Sequence, residues 1–167
     1  MISIRRAEPG VDPALVALAE EVGGEEGRWL LTAGLSRDSG AERRYLRAVR
    51  HHPNAAVFVA EADGLVVARL SVARDHHPAS KHVADLGLIV ASSHRRLGVG
   101  RALLEQAVGW ARAAEVTKLE LHVFPWNEPA LALYESFGFR REGYRKGHYL
   151  RDGVLVDAVL MAFRLEG

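Results

Sequence analysis

The sequence predicts a mixed α/β (α+β) domain with the element order βααβββαβαββ, and three observations predict it. An apolar run at residues 83–90 leads through a polar turn into Gly98, Gly100 and a helical pattern. Two Asp-Gly pairs, Asp63-Gly64 and Asp152-Gly153, separate strand-like stretches in the manner of hairpin turns. Two helical patterns open on capping residues, Asp12 and Asn127, and close on glycine, Gly23 and Gly138. The 167 residues suffice for a single domain over 1–167 that buries about 70% of its unfolded surface.

Ile2, Ser3, Ile4 and Arg5 alternate as a first strand. A helix over 12–22 follows, with Asp12 as N-cap and Pro13 at the first helical position. A second, short helix takes 41–51. Strands at 56–61 and 65–73 form a hairpin through Ala62-Asp63-Gly64, and 83–90 is a fourth strand. The helix over 99–113 carries an apolar stripe of Leu103, Leu104, Ala107, Val108 and Ala111. A fifth strand spans 118–124. Asn127 caps a helix over 128–137, with Pro129 in its first turn. The last strands come from 139–145 and 149–165, and Asp152-Gly153 makes the final hairpin turn.

Lysine and arginine number 22 against 21 acids, for a net charge of +1. That balance gives no bulk attraction to nucleic acid or an anionic membrane. No apolar run approaches the ~18 residues of a membrane span. The opening Met-Ile-Ser-Ile-Arg-Arg lacks the apolar block of a signal peptide. The chain has no cysteine, which removes disulfides, thiolate metal ligands and a cysteine nucleophile. A cytoplasmic protein with no nucleic-acid or membrane partner is the expectation.

The turn between the fourth strand and the third helix holds the most specific chemistry. A helix N-terminus exposes unpaired N–H groups and a partial positive charge, so it attracts anions. Gly98 and Gly100 lack a Cβ and would let an anion approach the backbone. Arg95, Arg96 and Arg101 add positive charge. These features suit a pyrophosphate. A P-loop is excluded, because Arg101-Ala102 follows Gly100 where Lys-Ser/Thr is needed. A dinucleotide fingerprint finds Glu120 at a suitable distance, but Leu103 replaces its third glycine and residues 91–97 separate strand from glycines. The pattern Arg/Gln-x-x-Gly-x-Gly/Ala is met in full by Arg95-Arg96-Leu97-Gly98-Val99-Gly100.

That hexapeptide resembles the coenzyme A loop of the GNAT N-acyltransferase superfamily. The segment Asn127-Glu128-Pro129-Ala130-Leu131-Ala132-Leu133-Tyr134-Glu135-Ser136-Phe137-Gly138-Phe139 is similar to the second signature of that family. The resemblance covers residues 55–165 well and the first 50 loosely. The tail at 143–158 resembles the L-amino-acid N-acyltransferase branch. The resemblance implies a central mixed, mostly antiparallel seven-stranded sheet flanked by four helices. It implies acetyl-CoA as co-substrate, without a metal, and a small primary amine as acceptor, foremost a free amino acid. Protein N-terminal or antibiotic amine acetylation is the alternative within enzymes. A silent acyl-CoA sensor is the alternative outside them.

Amine attack on a thioester needs an uncharged amine. An α-amine with pKa near 8 is about one-tenth neutral at pH 7, whereas a lysine amine is neutral about once in 2,500. The attack creates an oxyanion that needs a backbone donor. The resemblance places that donor on a splayed fourth strand, at Leu88, Ile89 and Val90. It assigns Arg95, Arg96, Leu97, Gly98, Val99, Gly100 and Arg101 to the cofactor loop. Asn127 and Ala130 would touch the cofactor as well, and Tyr134 would be the acid for the leaving thiolate. By spacing alone Tyr134 is equally a core tyrosine, and Asn127 no more than a helix cap.

The base has three candidates besides a water relay. Asp85 stands on the fourth strand between apolar Ala84 and Leu86, so burial would raise its pKa. Glu120 and His122, two apart, share one face of the fifth strand. Glu21, Glu25 and Glu26 read as a solvated acidic loop or as contacts for a substrate ammonium group. His51-His52, His76-His77 and His82 lack metal-site spacing. Ser71, Ser92 and Ser93 lack a His–Asp pattern, so direct transfer in a ternary complex is expected. Phe124, Trp126, Tyr144 and Tyr149 read as an acceptor pocket or core. The C-terminal strands leave room for a homodimer.

Overall fold

The computed structural model describes residues 1–27 and 38–166. Its elements are β1 (Ile2–Arg6), α1 (Asp12–Gly23), α2 (Ser39–Val49), β2 (Ala55–Ala62), β3 (Leu65–Arg74), β4 (Val83–Val90), α3 (Val99–Ala113), β5 (Lys118–Val123), α4 (Glu128–Phe137), β6 (Arg140–Arg151) and β7 (Val154–Arg164). The element order is the one the sequence predicts, and the strands form one sheet in the order β1-β2-β3-β4-β5-β7-β6. Every neighbouring pair is antiparallel except β4–β5. Among the described residues no helix is long and apolar enough to cross a membrane.

The β4–β5 pair determines where a site can form. It holds only three rungs, Val83↔Lys118, Ala84↔Leu119 and Asp85↔Glu120. Beyond Asp85, β4 stays with β3 as far as the Ala68↔Val90 rung, while β5 stays with β7. The strands therefore part at Asp85 and Glu120, and the backbone of Leu88, Ile89 and Val90 is no longer paired on its β5 side.

Side-chain alternation divides the two faces of the sheet. Leu119, Leu121 and Val123 of β5 and Leu86 of β4 join the core beneath α3, whose Leu103, Leu104, Ala107 and Ala111 are fully buried. Each such leucine contributes about 1.5–3 kcal/mol. On the other face, Leu15 of α1 and Leu46 and Val49 of α2 cover Val57 and Val59 of β2. Glu42 and Tyr45 of α2 meet Arg69 of β3, through a 2.7 Å ion pair and a ring contact at 5.8 Å. Asp85, Gly87, Glu120 and His122 continue this second face past the helices. Asp85 and Gly87 are exposed there, and Glu120 and His122 are half-buried.

Three local expectations are corrected. Asp12 is not the cap of α1; Val11 is, and Asp12 lies buried in the first turn. Its carboxylate accepts from Gly10 N–H and meets Arg43 of α2 at 3.3 Å, so it joins two helices instead of ending one. Burial opposes its ionisation, but Arg43 and the Gly10 amide hold its pKa below the ordinary value. The cap of α2 is Asp38, accepting from Ala41 N–H, which starts that helix two residues early. The predicted break at 146–148 is a bulge within β6. Arg145 pairs with Ala158 and Tyr149 with Val156, so four residues on β6 span two on β7. Gly147, at φ 56°, takes the left-handed turn this needs.

Candidate active site

The anion loop leaves the sheet at Ala91, whose N–H donates to Val67 O at 2.8 Å. Arg96 (φ 61°) and Gly98 (φ 82°) turn the chain into α3. Gly98 is the N-cap, and no side chain caps the helix. The first bond of the ladder is Ala102 N–H to Gly98 O, so the amides of Val99, Gly100 and Arg101 precede it. A Cβ on Gly98 would meet nothing within 4 Å. An exposed, uncapped helix terminus with an open glycine fits the pyrophosphate of a coenzyme A thioester.

Two parts of the sequence expectation need correction. Gly100 does not clear space for the anion. A Cβ there would stand 2.8 Å from Leu133 Cδ2 and 3.6 Å from Leu88 Cδ2, so this glycine lets α3 pack on α4 and β4. Arg95 is not aimed at the loop's mouth. Its Nε donates to Val90 O at 3.0 Å, and its two terminal nitrogens grip the Glu25 carboxylate at 2.6 Å each. Glu25 is thus a structural partner after α1, not part of a solvated loop. Arg101 lies over the Phe137 ring at 5.3 Å and within 3.7 Å of Glu105. Arg96 and Leu97 are exposed.

The α4 signature residues fall beside α3. Asn127 caps α4, its side chain accepting from Ala130 N–H at 3.3 Å. Tyr134 is buried in the core cluster, its ring 5.6 Å from that of Phe139. Burial pushes its phenol well above the ordinary value of 10.0, so it remains neutral at any physiological pH. Core residue and candidate donor are here the same side chain.

Asp85 looks into a cavity of about 310 Å³ shared with Glu120, Asp75 and His76. Although the cavity is open, enclosing protein weakens hydration of the carboxylate. That burial, then the negative charges of Glu120 and Asp75, raise its pKa from 3.8 to about 6. A carboxylate in that range remains ionised at pH 7 and can accept a proton. Glu120 has Lys118 Nζ at 3.8 Å, and Lys118 in turn binds Glu142.

His122 and Tyr149 come together as the sequence did not foretell. Nδ1 of His122 lies 2.6 Å from the Tyr149 hydroxyl, with the rings edge to face. Burial, then Arg145 and His148, depress the His122 pKa, which favours the neutral ring. Tyr149 is raised by burial, raised further by Asp85 and lowered by Arg145. Only the β6 bulge makes the contact, and local sequence carries no signal for it. Of the other aromatics, Phe124 is buried and stacks on Trp126 at 4.4 Å. Tyr144 donates to Asp157 on the opposite face. Ser93 does meet His94, at 2.8 Å between Oγ and Nδ1, and the pair is exposed. His52 and His77 accept from the backbone N–H groups of Asn54 and Ala79, in turns.

Comparison with known proteins identifies the family and supports the fold. The family model described as the acetyltransferase (GNAT) family matches residues 24–139. The chain is 39% identical over 114 residues to the L-amino acid N-acetyltransferase AaaT of Escherichia coli K12, covering 66% of this chain and 68% of that one. It is 37% identical over 75 residues to the ribosomal protein bS18-alanine N-acetyltransferase of the same organism, covering 45% and 51%. A GNAT-family acetyltransferase from Streptococcus pneumoniae superposes with a TM-score of 0.89 at 25% identity, over 99% of this chain and 100% of that one. The chain belongs to the GNAT family of acetyl-CoA-dependent acyltransferases.

Proposed function

We propose that the chain transfers the acetyl group of acetyl-CoA directly to the α-amine of a free amino acid, within one ternary complex. The observation that carries this reading is Asp85, with a pKa near 6, on the last rung between β4 and β5 and facing a cavity of small-molecule size. Similarity to an L-amino acid N-acetyltransferase supports the acceptor class.

Acetyl-CoA supplies the activated acyl group. The amides at the start of α3 and the open side of Gly98 would hold its pyrophosphate. The unpaired β4 edge at Leu88, Ile89 and Val90 would supply the N–H for the oxyanion. Asp85 takes one proton of the acceptor ammonium, directly or through water, and the freed amine forms the C–N bond to give a tetrahedral oxyanion. Its collapse breaks the C–S bond, and the second N–H proton passes through water to the departing thiolate. Tyr134 serves the departing sulfur. Its phenol binds its proton more tightly than a thiolate of pKa ~8.5 does. It therefore donates a hydrogen bond to the thiolate without surrendering the proton, which refines the role of acid.

Similarity to the bS18-alanine enzyme supports a second reading, with a protein N-terminal amine as acceptor. Free-thiol release from acetyl-CoA, measured across amino acids, short peptides and other amines, separates the two. Release with amino acids and not with alanine-initiated peptides is the expected result. The converse overturns the free-amino-acid reading, and tight acetyl-CoA binding with no release at all would indicate a sensor.

A further inference from the structure

Resting on the free-amino-acid reading above, we propose that Arg145 binds the carboxylate of a zwitterionic acceptor whose amine meets Asp85. The placement comes from register. His122 pairs with Leu160, and Arg145 pairs with Ala158, two residues along β7. Directly paired residues share a face, and so do residues two apart, so Arg145 stands on the face of His122. The bulge then spends four residues of β6 against two of β7, an even excess, and Tyr149 returns to that same face. Asp157 secures the bulge from the opposite side. Its Oδ1 accepts from Gly147 N–H at 2.7 Å and its Oδ2 from Tyr144 O–H at 2.6 Å.

The electrostatics agree with that placement. The Tyr149 phenol feels the negative charge of Asp85 and the positive charge of Arg145 at once, so both charges act on this face. Burial first, and then the positive charge of Arg145, favour the neutral form of His122 on the same face. Arg141 and Arg164 of the same hairpin have carboxylate partners, Glu135 and Glu142. Arg145 has no ion pair among the described residues and is exposed. A carboxylate and a guanidinium without an ion pair, on one face of the sheet, complement the ammonium and carboxylate of an α-amino acid. A planar guanidinium binds a carboxylate through two parallel N–H bonds, which a lysine does not reproduce. An amino acid amide or a decarboxylated amine offers no such anion.

The test uses the intact enzyme, acetyl-CoA, the best L-amino acid found by thiol release and the primary amide of that amino acid. Wild type is expected to favour the acid over the amide by about tenfold or more in kcat/KM. In Arg145→Gln the ratio of acid to amide is expected to fall about tenfold, and Arg145→Lys to recover part of it. If no free amino acid is acetylated, the free-amino-acid reading fails and the carboxylate clamp fails with it. If amino acids are acetylated but wild type treats acid and amide alike, the clamp alone is overturned, whatever the variants do. If the preference survives Arg145→Gln, Arg145 is not the group that reads the carboxylate.

Discussion

Asp85 and Glu120 form the last rung between β4 and β5, and both face one cavity. Burial raises the Asp85 pKa to about 6, and the neighbouring Glu120 charge adds to the effect. If Asp85 accepts the proton of the acceptor ammonium, kcat climbs with pH through about 6 and levels off above it. Asp85→Asn should lower kcat at pH 7.5 on the order of a hundredfold and abolish that limb. Glu120→Gln should move the limb to lower pH by removing a like charge. A steady-state pH series from 5 to 8 on the three proteins checks this, and identical profiles would rule Asp85 out as the base.

The same carboxyl group has a thermodynamic signature. Its folded-state pKa lies above its ordinary value of 3.8, so the folded protein binds this proton more tightly than the unfolded chain. Stability from Asp85 is therefore fully present below about pH 4 and lost as pH rises through about 6. Asp85→Asn, which cannot ionise, should melt higher than wild type at pH 7.5, with the difference shrinking toward pH 4. Calorimetric melts at the two pH values measure it. A variant less stable than wild type at pH 7.5 would mean that Asp85 is a stabilising partner, not a strained functional group.

Tyr134 is expected to act as a hydrogen-bond donor that keeps its proton. Tyr134→Phe retains the ring beside Phe139 and loses only the hydroxyl. We expect kcat to fall about tenfold, with the KM for acetyl-CoA and the melting temperature little altered. Because burial raises the phenol pKa, the wild-type profile should show no loss from Tyr134 ionisation up to pH 10. A wild-type rate in the variant would return Tyr134 to a purely core role.

Features written in short-range patterning were legible from sequence. Gly98 and Gly138 act through their own backbone and Asn127 through a side-chain bond three residues along, so turn and cap chemistry identified the start of α3 and both ends of α4. The open face is a long-range property. Asp85 is flanked in sequence by buried Ala84 and Leu86, yet it faces a cavity, because α1 and α2 cover the sheet only as far as β2, β3 and the margin of β4. The Arg95–Glu25 grip joins residues 70 apart, which no motif encodes. The His122–Tyr149 contact depends on an even-numbered bulge in β6, whose Lys146-Gly147-His148 reads as a break between strands.

Gly100 separates two physical accounts of the anion loop. If it cleared room for pyrophosphate, Gly100→Asp would weaken acetyl-CoA binding by charge repulsion and leave the fold intact. The position instead faces Leu133, Leu88 and Val90, with Leu133 Cδ2 only 2.8 Å from a Cβ added there. A carboxylate would be forced into an apolar seam between α3, α4 and β4, displacing Leu133 and losing its hydration. We expect Gly100→Asp to cost about 3 kcal/mol in urea unfolding without any ligand present. Gly98→Ala strains a left-handed residue but adds its methyl to open space. It should cost only about 1 kcal/mol in stability while raising the KM for acetyl-CoA. A Gly100→Asp protein as stable as wild type would restore the repulsion account and remove the packing role assigned to this glycine.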